Sequence, residues 1–192
     1  QLVSIAGIIG VGKTTLARKL AGLLDCEVLL EPYDANPFLP EVYAGKKEQA
    51  LDSQLFFLVH RTKQLDPSVR ARGRVCISDY VFDKELIYAR RLLDAQQLAL
   101  YEEIHSPFAA KVAAPVLVIY MRDPAAACLA RIHSRNRPYE QKIELSFLEA
   151  LGSDYDRLFE GWKGCPVIRV STSQAADAER LAHQMKYYTV NS

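Results

Sequence analysis

The chain has 192 residues, 49% of them hydrophobic, and its 24 lysines and arginines against 23 aspartates and glutamates give a net charge of +1. A chain of this length and composition can bury its own core, so a disordered protein is excluded and one domain spanning residues 1–192 is expected. The balanced charge removes the usual argument for binding to nucleic acid or to a membrane surface. The longest apolar stretch, residues 112–121, is too short for a bilayer span, which needs about 20 residues.

The four cysteines indicate reduced thiols rather than a metal or disulfide framework. They are scattered, without a CxxC pair or a neighbouring pair of histidines, at Cys26, Cys76, Cys128 and Cys165. This spacing supports neither a zinc site nor a set of disulfides. The N-terminus shows no basic segment followed by an apolar core, so no secretory signal is expected and a cytoplasmic location is predicted.

Short β-rich apolar runs alternate with longer helical patterns along the whole chain. The strands are predicted at residues 2–6, 26–30, 75–78, 116–121 and 166–170. The helices are predicted at residues 13–24, 48–65, 84–93, 96–112, 124–134, 144–162 and 174–186, with Asp123-Pro124 as the start signal of the fifth. This alternation predicts a parallel sheet of about five strands covered by helices on both faces.

The strongest motif follows the first strand and opens the first helix. Residues 7–15, GIIGVGKTT, fit the pattern GxxxxGK[ST] of a P-loop. Its backbone N–H groups and the helix N-terminus would bind the phosphates of ATP, Lys13 would bridge the β- and γ-phosphates, and Thr14 would hold Mg²⁺. The predicted phosphate-binding residues are Gly7, Gly10, Val11, Gly12, Lys13, Thr14 and Thr15. The motif predicts the three-layer α/β/α fold of P-loop NTPases.

Two further segments suggest an acceptor site. Glu31 ends the second predicted strand, where a carboxylate could accept the proton of an attacking hydroxyl; taken alone it is equally an ordinary turn residue before Pro32. The helix at residues 48–65 places Gln54, Phe57 and Arg61 on one stripe, so that the carboxamide could pair with a base edge while the phenyl ring stacks on it. The alternative is a boundary glutamine on a helix whose aromatic residues are simply core.

An arginine-rich segment follows the fourth strand. Arg131, Arg135 and Arg137 lie within seven residues and suit a lid that closes over phosphoryl oxygens. The alternative is a solvated basic helix end that interacts with the helix dipole. The concentration of arginines in a chain of net charge +1 favours the lid.

These pieces, in this order and spacing, resemble the deoxynucleoside kinases of the thymidine-kinase-2-like and bacterial deoxyadenosine/deoxyguanosine kinase type over nearly the whole chain. The resemblance implies that Glu31 is the base for the 5′-hydroxyl, that Gln54 pairs with the nucleobase, and that Tyr43 and Glu140 hold the sugar 3′-hydroxyl. It implies ATP and Mg²⁺ as cofactors, and a homodimer built on residues 84–112.

One segment departs from the family pattern. The family usually has an acid, an arginine and a serine at the end of the third strand, whereas this chain has Ser78-Asp79-Tyr80. Aligned on Val81-Phe82, Asp79 falls at the arginine's position and Ser78 at the acid's. Either Asp79 takes the Mg²⁺ role from one residue along, with Arg135 or Arg137 replacing the missing arginine, or the site is arranged differently.

The sequence as a whole predicts a kinase that transfers the γ-phosphoryl group of ATP to the 5′-hydroxyl of a deoxynucleoside. A nucleoside monophosphate kinase of the thymidylate type is the nearest alternative, with Arg61, Arg72 or Arg74 reading the acceptor's phosphate. A regulatory P-loop ATPase or GTPase is a further alternative, although no recognisable switch segment is present.

Overall fold

Five parallel strands form the sheet in the computed structural model, which describes residues 1–69 and 73–190. The strands are β1 (Leu2–Ala6), β2 (Glu27–Leu29), β3 (Cys76–Ser78), β4 (Pro115–Arg122) and β5 (Val167–Ser171). Their order across the sheet is β2-β3-β1-β4-β5, and every neighbouring pair is parallel. The predicted α/β fold is therefore confirmed.

Helices pack against this sheet in separate groups. They are α1 (Lys13–Leu24), α2 (Leu39–Tyr43), α3 (Ala50–Leu65), α4 (Lys84–Leu92), α5 (Ala95–Ala109), α6 (Ala125–Arg135), α7 (Leu145–Glu160), α8 (Thr172–Ala175) and α9 (Ala178–Val190). Helix α1 packs against α9, whereas α3, α4 and α5 pack against one another and α4 also contacts α7. Within the described ranges, no helix is long and apolar enough to cross a membrane.

The largest difference from the predicted elements is at the C-terminal end. The single helix expected at residues 174–186 is two helices, α8 and α9. Ser171 and Gln174 form a capping box that starts α8, and the carboxylate of Asp177 then accepts a hydrogen bond from the backbone N–H of Arg180 at the start of α9. Each helix thus has its own polar start, and a single helical pattern cannot show this.

Two predicted helix starts are also wrong. Helix α3 begins at Ala50 rather than at residue 48, because Lys47–Gln49 form a turn of 3₁₀ helix. Helix α6 begins at Ala125, with Pro124 in an extended conformation before it and no side-chain cap. Asp123 does not cap the helix, because its carboxylate pairs instead with the side chain of Arg131, which lies further along α6.

The strand register brings three chain segments together at one edge of the sheet. Ser78 of β3 lies beside Ser4 of β1 and beside Leu29 of β2. Parallel strands present their carboxyl ends to the same edge, where ligands bind in open α/β sheets. The P-loop, Glu31 and Asp79 follow these three strands directly, so the fold places them side by side.

Candidate active site

The P-loop is held against α6 by close packing of its backbone. Gly10 has a φ of 81°, and a Cβ atom there would lie 2.5 Å from the carbonyl oxygen of Cys128. Gly12, with a φ of 101°, is the N-cap of α1. Both positions need the freedom of glycine, since other residues rarely adopt a positive φ. The loop therefore presents its N–H groups at the start of α1, where an anion is stabilised.

Lys13 lies buried at the base of this loop. Its ammonium donates a hydrogen bond of 2.8 Å to the carbonyl oxygen of Ile8. Burial lowers the pKa of Lys13 to about 8, although the nearby Asp79 carboxylate opposes that shift. The buried ammonium is poorly solvated, so negative phosphoryl oxygens would stabilise it more than a backbone carbonyl does.

Thr14, in the first turn of α1, and Asp79, directly after β3, supply neighbouring oxygen atoms. The Thr14 hydroxyl donates to Oδ2 of Asp79 at 2.5 Å, and the backbone N–H of Glu31 donates to Oδ1 at 2.9 Å. Ser78 does not share this position: its hydroxyl contacts Ser4 within the sheet and donates to the carbonyl oxygen of Tyr80. At the end of β3 it is therefore the carboxylate of Asp79, and not the side chain of Ser78, that lies beside the P-loop.

This oxygen pair fits Mg²⁺ better than a transition metal. Across residues 1–69 and 73–190, no group of three or more His, Cys, Asp or Glu side chains could hold a metal ion. Mg²⁺ is usually bound by one or two protein oxygens, with water and substrate phosphates completing its shell. One hydroxyl and one carboxylate beside a P-loop match that requirement.

Glu31 is buried between two cations. Arg61 of α3 pairs with its Oε1 atom, and the ammonium of Lys84 lies 2.7 Å from its Oε2 atom. Arg61 also pairs with Glu85, whose second oxygen accepts a hydrogen bond from the hydroxyl of Tyr101. Burial raises the pKa of Tyr101, so its hydroxyl remains protonated and can donate. The predicted base is therefore one member of a buried charge network.

Lys84, Glu85 and Tyr101 are the members of this network that the sequence does not reveal. Lys84 and Glu85 begin α4, and as whole residues they are 2% and 0% exposed. Burial lowers the pKa of Lys84, as do the charges of Arg61 and Lys13, whereas Asp79 and Glu85 raise it. The positive charge of Lys84 therefore depends on the carboxylates around it.

The predicted base-recognition stripe of α3 is buried, as expected from its spacing. Gln54 is 2% exposed, and its Oε1 atom accepts no hydrogen bond from any residue that the structure describes. The Arg61 guanidinium lies over the ring of Phe57, 4.4 Å from its centroid, and Tyr33 packs edge-on against the same ring. A buried acceptor without a donor is costly in a closed core, so Gln54 suits a ligand that supplies an N–H group.

The arginine-rich segment divides into two parts. Arg135 binds both oxygens of Glu140 at 2.6 Å, and Arg137 lies 3.6 Å from one of them. Arg131 faces the P-loop instead, where it pairs with Asp123 and donates to the carbonyl oxygen of Gly10 at 3.2 Å. Arg135 and Arg137 thus lie at Glu140, whereas Arg131 lies at the P-loop.

A cavity of about 380 Å³ joins these groups. Residues of the P-loop, the strand ends and the arginine-rich segment line it, among them Gly10, Gly12, Lys13, Thr14, Thr15, Glu31, Tyr43, Asp79, Arg135, Arg137 and Glu140. Tyr43 also stacks on Tyr139, with ring centroids 6.3 Å apart, and Tyr139 donates to Asp34 at 2.8 Å. The predicted site residues outside this lining are Gly7, Val11, Gln54, Phe57, Arg61 and Arg131. Arg61 contacts one lining residue, Glu31.

Comparison with known proteins agrees with this arrangement. A family model described as deoxynucleoside kinase matches residues 3–188. The deoxyguanosine kinase of Bacillus subtilis (strain 168) is 38% identical over 157 residues, covering 80% of this chain and 76% of that protein. A deoxyadenosine kinase of Dictyostelium discoideum is 30% identical over 190 residues, covering 96% and 77%.

A solved structure shows the same fold. The deoxyadenosine kinase from M. mycoides, described with the products dCMP and a flexible dCDP bound, superposes with a TM-score of 0.83 over 100% of both chains at 21% sequence identity. The family model covers nearly the whole chain, and the two kinase relatives align over most of their own length. The chain therefore belongs to the deoxynucleoside kinase family, and it is an enzyme that phosphorylates deoxynucleosides.

Proposed function

We propose that this kinase transfers the γ-phosphoryl group of ATP, with Mg²⁺, to the 5′-hydroxyl of a purine deoxynucleoside, with deoxyguanosine as the preferred acceptor. The names of its relatives support a purine, because they include a deoxyguanosine kinase at 38% identity and a deoxyadenosine kinase at 30%. The unpaired carbonyl oxygen of Gln54 fits any base that offers an N–H donor, so the preference for a purine rests on the relatives alone.

The observation that carries the mechanism is the position of Glu31. Glu31 and Lys13 both line the cavity, and the backbone N–H of Glu31 donates a hydrogen bond to the carboxylate of Asp79. Glu31 accepts the proton as the O–H bond of the 5′-hydroxyl breaks, the oxygen forms a bond to the γ-phosphorus, and the bond from that phosphorus to ADP breaks. Tyr43 and Glu140 would orient the sugar through its 3′-hydroxyl.

The phosphates of ATP would occupy the P-loop, with Lys13 leaving the Ile8 carbonyl to contact their oxygens. Thr14 and Asp79 would hold Mg²⁺, which neutralises charge on the phosphates. Arg131, Arg135 and Arg137 are the further cations that would stabilise charge developing on the transferred group. Since this reaction has a loose transition state, positioning and charge neutralisation supply most of the rate.

The arginines proposed for a nucleoside monophosphate acceptor do not support that alternative. Arg61 is already engaged by two carboxylates. Arg74 precedes β3 at the opposite edge of the sheet, where its carbonyl accepts a hydrogen bond from the N-terminus. Arg72 lies outside the described residues. The homodimer on residues 84–112 stays a prediction.

Replacement of Glu31 by glutamine tests this function. Glu31→Gln keeps the shape of the side chain but cannot take the proton, so kcat should fall about 10²- to 10⁴-fold while KM for ATP changes by less than about twofold. Glu27→Gln, at the exposed start of β2, the strand that precedes Glu31, is the control. If Glu31→Gln retains the activity of Glu27→Gln, Glu31 is not the base.

A further inference from the structure

A buried lysine with no assigned role lies against the proposed base. Lys84 is the first residue of α4 and is 2% exposed, although lysine is almost never fully buried unless it is paired. Its ammonium is 2.7 Å from Oε2 of Glu31. The ring centroids of Tyr88 and Tyr33 lie 5.1 Å and 5.8 Å from the same ammonium. Aromatic faces at these distances attract the cation and restrict its position.

The two oxygens of Glu31 are held by cations of different kinds. Arg61 contacts Oε1 but shares its guanidinium with Glu85, so its charge is divided between two buried carboxylates. The hydrogen bonds among the described residues give the Lys84 ammonium one acceptor, which is Glu31. Lys84 is therefore the cation committed to the proposed base.

Stability alone does not account for this pair. A buried ion pair is often no more stabilising than apolar side chains of similar volume, because both charges lose their hydration. One member of the pair, Glu31, is also among the residues that line the cavity. Tyr80, directly after Asp79, cannot take the place of Lys84 as a partner of Glu31, because its hydroxyl donates a hydrogen bond to Gln64.

We propose that Lys84 is a positioning residue for phosphoryl transfer, whose ammonium holds the Glu31 carboxylate in the orientation that accepts the proton of the 5′-hydroxyl. This role rests on the proposed function, because it acts through the same base. Lys84 itself does not line the cavity, so it is assigned no direct contact with the substrate.

Kinetic constants of three Lys84 variants test the role. Lys84→Met removes the charge at similar length and should lower kcat by about 10²-fold, with KM for ATP and for the deoxynucleoside within about twofold of wild type. Lys84→Arg returns the charge and should recover kcat to within about tenfold of wild type. Lys84→Gln keeps a hydrogen-bonding group without the charge, and its kcat should fall as far as that of Lys84→Met. It replaces Lys84→Met as the test if the methionine variant does not fold. The control is Lys46→Met, which removes a lysine paired with Glu41 at the surface.

A double-mutant cycle with Glu31→Gln separates positioning from other roles. If Lys84 acts through Glu31, then Lys84→Met added to Glu31→Gln should lower kcat by less than about threefold further. Two losses that multiply, or neutral Lys84 variants with the kcat of wild type, would overturn the proposal. An unchanged kcat in Glu31→Gln alone would instead overturn the proposed base, so the two failures are distinguishable.

Discussion

Tyr101 donates its hydroxyl hydrogen bond to the carboxylate of Glu85, the residue that also pairs with Arg61. Within α5, all of which the structure describes, Tyr101 is the one buried residue. Helix α5 therefore contacts the charge network of the active site through the side chain of Tyr101. Glu85 has both oxygens occupied, by Arg61 and by Tyr101, which fixes the guanidinium that contacts Glu31.

Loss of the Tyr101 hydroxyl should lower the catalytic efficiency with the deoxynucleoside. Tyr101→Phe leaves one oxygen of Glu85 unpaired, so we expect a loss of stability of about 1–3 kcal/mol and a fall in kcat/KM for the deoxynucleoside of about tenfold, with KM for ATP unchanged. Tyr120→Phe is the matched control, because Tyr120 is a buried tyrosine that donates to Asp156 away from the site, at 2.7 Å. Thermal unfolding and steady-state kinetics of both variants provide the measurement. Equal kinetic constants for the two would show that Tyr101 has a structural role only.

Asp79 should determine the requirement for Mg²⁺. Asp79→Asn removes the charge beside the Thr14 hydroxyl, so the Mg²⁺ concentration that gives half-maximal rate should rise about 10- to 100-fold at fixed ATP. Asp156→Asn is the control, since Asp156 pairs with Arg122 and Tyr120. A Mg²⁺ titration unchanged in Asp79→Asn would remove Asp79 from the metal site.

Replacement of Gln54 should lower kcat/KM for the deoxynucleoside without changing KM for ATP. Gln54→Leu removes the unpaired carbonyl oxygen, so polar groups of the base lose a partner, at a cost of about 1–3 kcal/mol, and kcat/KM for the deoxynucleoside should fall tenfold or more. KM for ATP should stay within about twofold. The control is Gln96→Leu at the exposed start of α5. Equal losses for both substrates would make Gln54 a packing residue of α3.

Glu140 should have two separable effects, because both of its oxygens also hold Arg135. Glu140→Ala removes a partner of the 3′-hydroxyl and at the same time releases Arg135. We expect the loss of kcat/KM with a 2′-deoxynucleoside to exceed the loss with a 2′,3′-dideoxynucleoside by about tenfold, and some loss to remain with the latter. Identical losses with both acceptors would show that Glu140 acts on the arginine-rich segment alone.

The parts of the site that follow strands were predictable from the sequence, whereas the charge network was not. The P-loop has a local signature, and β1 and α1 begin and end where the sequence predicts. The burial of Gln54, Phe57 and Arg61 follows from their spacing on one helical face. Lys84 follows Asp83 at a helix start, a pattern typical of exposed helix ends. Its burial comes with its contacts to Glu31, Tyr33 and Tyr88, which the local pattern does not show.

The different positions of Arg131 and Arg135 have a local cause that spacing does not show. Four residues apart on a helix, they are expected on one face. Helix α6 ends at Arg135, and Asn136 then takes a left-handed conformation with a φ of 50°. The chain turns there towards Glu140, so Arg135 meets this carboxylate while Arg131 stays beside the P-loop.

The most direct measurement of the central claim is acceptor-dependent formation of ADP from ATP with a panel of deoxynucleosides and deoxynucleoside monophosphates. The account predicts ADP formation with deoxyguanosine and deoxyadenosine, lower kcat/KM with pyrimidine deoxynucleosides, and little with any monophosphate. Release of ADP at the same rate without an acceptor, or much faster phosphorylation of monophosphates than of free deoxynucleosides, would contradict it.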